Sequence, residues 1–408
     1  MHAKLPSISA VGTIFRAFRH RDYVFLWSSL LAGGSGYWIM ITAQGWLVLE
    51  LTDSAFWVGA VVFCASIPPL FLAPLGGVFA DKFDQRRLLL FCRLASVILI
   101  SALATFTITG MVTVWHIVAI SLLAGIVWSL GDPTIMAIVP RVVPMDDLMN
   151  AVALSSTAWQ VSRFIGPAVA GALIGIIDTG GCFYVAGACY VVAWLLVLMM
   201  QPLPLHHATQ QPGVLDNLSQ GVGYLIRNRP VMVVMTLVTV ACVFALPYAW
   251  MLPVFARDVL CVGAGGYSQL MMATGAGAIC GALTVASMGR FQHKGWLLIG
   301  SGLAFGASLI AFALSRLFFL SMALVILVAA AAAIFFAVAN TLIQSIIPDS
   351  FRGRVMGLYV IIWYLPGSII IGAAADWAGV QPVTAAGGAL FLLSVLGIAL
   401  LFAPLRRM

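Results

Sequence analysis

The feature that most limits this chain is the recurrence of apolar runs, each roughly 20 to 28 residues long and separated by short polar breaks. A helix needs about 20 residues to cross a hydrocarbon layer about 30 Å thick, and each run meets that length. A spanning segment must satisfy its own backbone hydrogen bonds, and strands would be shorter and would alternate in polarity, so helices are the expected form. Charged residues are only 8% of the 408 positions and hydrophobic residues 62%, against about 25% charged in a soluble domain. The expected fold class is therefore an all-α integral membrane protein. Twelve spans fit the hydropathy, at about 23–50, 55–80, 87–109, 113–139, 149–176, 181–201, 230–256, 264–288, 295–314, 317–346, 354–376 and 383–404.

The net charge of +7 is a topology signal and not a nucleic-acid footprint. With the N-terminus in the cytoplasm, all of the 20 Lys and Arg except Arg163, Arg257 and Arg316 fall at the inner face, which places both termini inside by the positive-inside rule. No signal peptide precedes the first span, since His20, Arg21 and Asp22 run directly into it. Seven cysteines are scattered without metal-ligand spacing and read as packing residues. No metal, no cofactor and no nucleotide loop is expected. Gly275 to Gly281 follows no strand and reads as helix packing, and no nucleophile stands with a base.

The longest polar stretch lies at the midpoint, so the chain divides into a six-helix half over 1–201, a cytoplasmic connector over 202–229 and a second six-helix half over 230–408. Pro144, Asn150 and Trp159 enter the fifth span with the same spacings as Pro348, Arg354 and Trp363 at the eleventh. That offset is half the chain, as parallel pseudo-repeats require. Phe15 to Arg19 mixes apolar and basic residues and reads as a short interfacial helix.

Between the second and third spans stands Gly77-Val78-Phe79-Ala80-Asp81-Lys82-Phe83-Asp84-Gln85-Arg86-Arg87. This resembles the signature loop of the major facilitator superfamily. With Phe18 to Tyr23 at the entry and Leu51 to Ser54 in the first outer loop, the chain is similar to the branch holding bacterial drug and siderophore exporters. The resemblance implies the major facilitator fold, a bacterial inner-membrane location, a monomer and transport by alternating access. It also implies a gating role for Gly77, Asp81, Lys82, Arg86 and Arg87, because a carboxylate at a helix end can cap a neighbouring helix and pair with arginine in one state only. Asp84 replaces the usual glycine and Gln85 a usual basic residue, and the matching segment of the second half has no acid, so such a latch would be asymmetric. A plain solvated topology signal is the other reading.

Gly166, Pro167 and Gly171 in the fifth span resemble an element of antiporting members, with Ala170 in place of a glycine. Close helix packing explains the same residues. Asp132 in the fourth span and Arg163 in the fifth are read as the ionisable residues well inside spans, the strongest pointers to function. They lie within reach of a meeting, either as a proton-coupling pair or as a structural ion pair. The fourth-span arginine usual in the superfamily is absent. Gln44, Gln269 and Asn340, with the aromatics Tyr37, Trp38, Tyr248, Trp250, Trp363 and Tyr364, are candidates for the substrate cavity, or else helix ties and interfacial belts.

The reading these features support is a transporter exporting a small amphiphilic or aromatic molecule, drug- or siderophore-like, by proton antiport. Its partners are then a small-molecule substrate, protons and membrane lipid. The alternatives are a proton-independent facilitative or uptake carrier and a lipid or lysolipid flippase.

Overall fold

The computed structural model describes residues 15–82, 84–202, 214–288 and 293–402, and the side chains of 73–82 and 214–218 lie outside that description. The interfacial segment forms one tight turn, Arg16–Arg19. Five helices follow: α1 (Arg21–Thr52), α2 (Ala55–Lys82), α3 (Gln85–Ile108), α4 (Val114–Val142) and α5 (Met145–Leu198). The connector helix is α6 (Val214–Arg227). Then come α7 (Arg229–Val259), α8 (Gly263–Ser287), α9 (Lys294–Leu314), α10 (Phe318–Ile346), α11 (Asp349–Ala378) and α12 (Val380–Leu401).

At 54 residues, α5 is too long for one crossing, and its contacts show that it crosses twice. Ser29 Oγ of α1 donates to the carbonyl of Ala193, and Ser162 Oγ donates to the carbonyl of Leu31. Two neighbouring levels of α1 thus meet positions 31 residues apart in α5, which a straight helix would hold about 46 Å apart. The chain must reverse between them. It does so at Ile177 and Asp178, where Asp178 takes φ 54° and ψ −179°, a conformation rare for an L side chain. With α5 counted twice, the eleven long apolar helices among the described residues make twelve passes.

Breaks in two helices have identifiable causes. In α7, Pro247 and Pro253 remove ladder donors, and the helix passes through wide turns at Ala241–Ala245 and Phe255–Val259. In α11 the two limbs, Asp349–Trp363 and Gly367–Ala378, meet just before and after Pro366. The internal repeat extends to contacts. Pro144 and Pro348 each stand at the N-cap of their helix. Trp159 of α5 packs on Trp128 of α4 at 5.5 Å, and Trp363 of α11 packs on Phe336 of α10 at 4.6 Å.

Two ends of the bundle can be told apart. The basic end carries the start of α1 and the connector helix, and the far end carries the α1–α2 and α7–α8 turns. Helices α1 to α5 pack mainly on each other, as do α7 to α12. The halves meet along α5 with α8 and along α2 with the far limb of α11. There the helices approach to backbone contact: a Cβ on Gly372 would lie against the Ala55 carbonyl at 2.6 Å. The near limb of α11, Asp349–Trp363, instead packs on α6 and α7, with no helix-level packing on the first half among the described residues. The connector helix is tied there by Tyr224 stacked on Phe351 at 4.8 Å.

Candidate functional site

Midway along the bundle, α1, α4 and α5 bring together Tyr37, Trp38, Trp128 and Trp159. Tyr37 lies 5.1 Å from Trp128, 5.4 Å from Trp38 and 5.6 Å from Trp159, ring centre to ring centre. Tyr37 and Trp38 are adjacent on α1 with their rings at 83°, and the other two rings come from α4 and α5. The second half closes on the cluster: Tyr364, at the break of α11, faces the Trp128 indole, and Tyr248, at the break of α7, lies within the electrostatic reach of Arg163. The Arg163 guanidinium lies over the Trp38 ring at 5.3 Å.

Asp132 and Arg163 lie within reach along the sequence but face different neighbours. Helix α4 packs along α2 and α3 and touches α5 only lightly, so Asp132 looks toward α3 and Arg163 toward α1 and α7. The cation facing Asp132 is Arg93. Sequence reasoning assigned Arg93 to the inner face because it stands close to Arg86 and Arg87. It is a third mid-span ionisable group, half-buried, with its guanidinium against Gly33 at the place a Cβ would occupy and 5.8 Å from the Tyr190 ring. Among the described residues Asp132 and Arg93 form no ion pair within 4.0 Å. Asp132 keeps an exposed side chain although it sits ten residues inside α4. Tyr364 of the second half is also within its field.

The other cavity candidates divide. Tyr37, Trp38, Tyr248 and Tyr364 come together as described. Gln44 is a helix tie, donating to Ser121 Oγ at 2.9 Å from a buried position. Asn340 accepts from Gln344 within α10, Trp250 packs against the apolar core, Trp363 sits beside Phe336, and Gln269 is exposed on α8. Trp128, Trp159 and Tyr190 belong to the cluster and were not singled out from the sequence as cavity residues.

Of the signature loop, the side chains of Gly77, Asp81 and Lys82 lie outside the described residues. Asp84 caps α3 by accepting from Arg87 N at 3.2 Å and pairs with Arg87 at 3.5 Å. Arg86 donates to the last carbonyls of α5, those of Val197 and Leu198. Both arginines thus act within the first half. Gly166 seats α5 against Trp38 and Ile39 of α1, Pro167 is buried beside it, and Gly171 seats α5 against Ser268 of α8 across the halves. The close-packing reading of this element is therefore visible in contacts.

At the far end the halves are latched by groups that no sequence motif flagged as a pair. Asp376 of α11 accepts from the backbone N–H of Ala55 at 2.6 Å and of Phe56 at 3.2 Å, and from Ser54 Oγ, so it caps α2 from the opposite half. Arg257 bridges Asp53 and Asp258 and donates to the Leu49 carbonyl. These residues line a pocket of about 320 Å³ with Val380 and Gln381.

Among the described residues the first and second sets of helices are latched at the far end and bring a polar and aromatic centre together midway along the bundle, and the chain is a secondary transporter of the major facilitator superfamily. More particularly, the chain belongs to the transmembrane secretion effector family, whose model matches residues 12–408. Over 378 residues it is 25% identical to the enterobactin exporter EntS of Escherichia coli O1:K1, covering 90% of this chain and 86% of that one. It is 31% identical over 185 residues to the staphyloferrin A transporter of Staphylococcus aureus, a match spanning 45% of each protein. Solved structures agree in fold: a mutant of the nucleoside transporter NupG at TM-score 0.77, 14% identical, covering 93% of this chain and all of that one, and a D-xylose–proton symporter at 0.71, 14% identical, covering 95% and 99%. The relatives are membrane transporters and not enzymes.

Proposed function

We propose that the protein exports a small amphiphilic or aromatic molecule of the siderophore or drug type from the cytoplasm, in exchange for protons, by alternating access. The basic residues collect at one end, which the positive-inside rule assigns to the cytoplasm together with both termini. The halves pack from the level of Arg163 and Gly275 to the far end, and we read the basic end as the side from which the cargo enters. The enterobactin exporter among the relatives supports that direction.

The observation that carries the reading is Asp132. It is the one acid near the middle of a described span, it is exposed, and it faces Arg93 without a contact pair. A carboxylate locked in an ion pair would hold its proton state fixed, whereas this one is placed to take up and release a proton as the halves rock. In the outward-open state the basic end must close, and Asp81 is the proposed latch there. One chain supplies both halves of the cavity, in keeping with a monomer.

The test is accumulation of enterobactin, staphyloferrin A, a cationic dye and a neutral dye in inverted membrane vesicles. We expect respiration to drive uptake of at least one of them, lost on adding an uncoupler. Accumulation indifferent to the uncoupler would favour a facilitative carrier, and accumulation only in right-side-out vesicles would contradict export.

A further inference from the structure

We propose that Arg163 is the anchor of an anion site shared by the two halves, and that the cargo therefore carries a negative group. The proposal deepens the transport reading and rests on it.

Among the described residues Arg163 differs from the other mid-span charges, Asp132 and Arg93, in having no acid for a neighbour. Arg93 has Asp132, but the groups around Arg163 are Tyr37, Tyr248 and the face of Trp38. Among the described residues its guanidinium has no hydrogen-bond partner. Its Nε is closed off from solvent without an acceptor, and the side chain as a whole is half-buried. Trp38 Nε1, in the same neighbourhood, is also buried without an acceptor. Guanidinium and indole N–H groups can only donate, and Arg93 Nε is a further buried donor without an acceptor, so the centre holds a surplus of donors that an incoming acceptor would satisfy.

Charge leads to the same conclusion. An arginine keeps its proton at any physiological pH, so its cost in the membrane interior is not relieved by neutralisation. A carboxylate, sulfonate or phenolate on the cargo would relieve it, with charge-assisted bonds to the planar fork. The aromatic surface of Tyr37, Trp38, Trp128 and Trp159 gives the rest of such a molecule a place to lie. Tyr248 comes from the second half and the other groups from the first, so an anion bound here would report on how the halves sit. Ser162, next to Arg163, is fixed by its bonds to Leu31 and Ala158, and α8 passes over the Arg163 backbone at Gly275. The anchor is thus held on rigid elements.

Binding of 2-naphthoate, its neutral amide and naphthylmethylammonium to the purified full-length protein tests this, read by titration calorimetry. The three share an apolar body and differ in charge. We expect the carboxylate to bind on the order of tenfold tighter than the amide, the ratio that one charge-assisted bond supplies. Arg163→Gln should bring that ratio near one, Arg163→Lys should keep part of it, and Arg316→Gln, exposed and outside the cluster, should keep most of it. Equal binding of carboxylate and amide, preference for the ammonium, no binding of any probe, or a preference that survives Arg163→Gln would each overturn the site. If Arg163→Gln fails to fold, the wild-type series and Arg163→Lys still decide. Vesicle accumulation is scored separately, so export can stand if the anion site falls.

Discussion

Replacing Asp376 by alanine isolates the contribution of the far-end latch. Its carboxylate accepts two backbone N–H groups and one hydroxyl at the start of α2, and it does so from the other half, so the bonds exist only while the far end is closed. Loss of a helix cap costs about 1 kcal/mol, and loss of a negative charge beside a helix N-terminus a further 0.3 to 1 kcal/mol or so. The closed far end should lose about 1 to 2 kcal/mol, a shift of roughly 5- to 30-fold in the ratio of the two states. The Arg257 cluster remains as a second tie, which keeps the shift within that range. Spin labels on Met111→Cys and Leu317→Cys, exposed far-end positions in opposite halves, report the separation by electron–electron distance measurement. The long-distance population should rise in Asp376→Ala, and less in Asp376→Asn, which retains an acceptor oxygen. An unchanged distance distribution in Asp376→Ala would refute the reasoning.

Other expectations follow from particular contacts. Thermal stability across a double-mutant cycle should show Asp132 and Arg93 coupled by at least about 0.5 kcal/mol, whereas Asp132 and Arg163 should be additive within about that amount. Gly171→Val drives a side chain into Ser268 and should destabilise by about 1 to 3 kcal/mol, lowering the melting temperature, while Gly175→Ala, with open space around it, should not. In intact cells an impermeant maleimide should label the native Cys261, exposed in the turn after α7, and should leave Ser219→Cys on the connector helix unlabelled until the membrane is opened.

Much of the fold is legible in the sequence because lipid imposes it: each span must be long, apolar and helical, and basic residues sort to one end. The Asp132 and Arg163 positions are legible for the same reason, as charges inside apolar runs. Their partners are not. Neighbouring spans in sequence need not pack closely, and α4 rests on α2 and α3, which gives Asp132 to Arg93. Arg93 itself was hidden by its nearness to a basic loop, although eight residues into α3 place it about 12 Å along the helix. Trp128 and Trp159 carry no pairing signal in the sequence, and only the ring contacts place them together. The far-end latch joins Ser54 to Asp376 across 322 positions, a distance at which polar residues near helix ends carry no pairing signal.

The central claim is that Asp132 couples cargo movement to protons, and it is tested most directly in proteoliposomes loaded with the protein and given an imposed pH gradient. The account predicts that wild type concentrates its cargo above equilibrium, while Asp132→Asn only equilibrates it yet still exchanges labelled for unlabelled cargo. Concentration by Asp132→Asn equal to that of wild type would contradict the account.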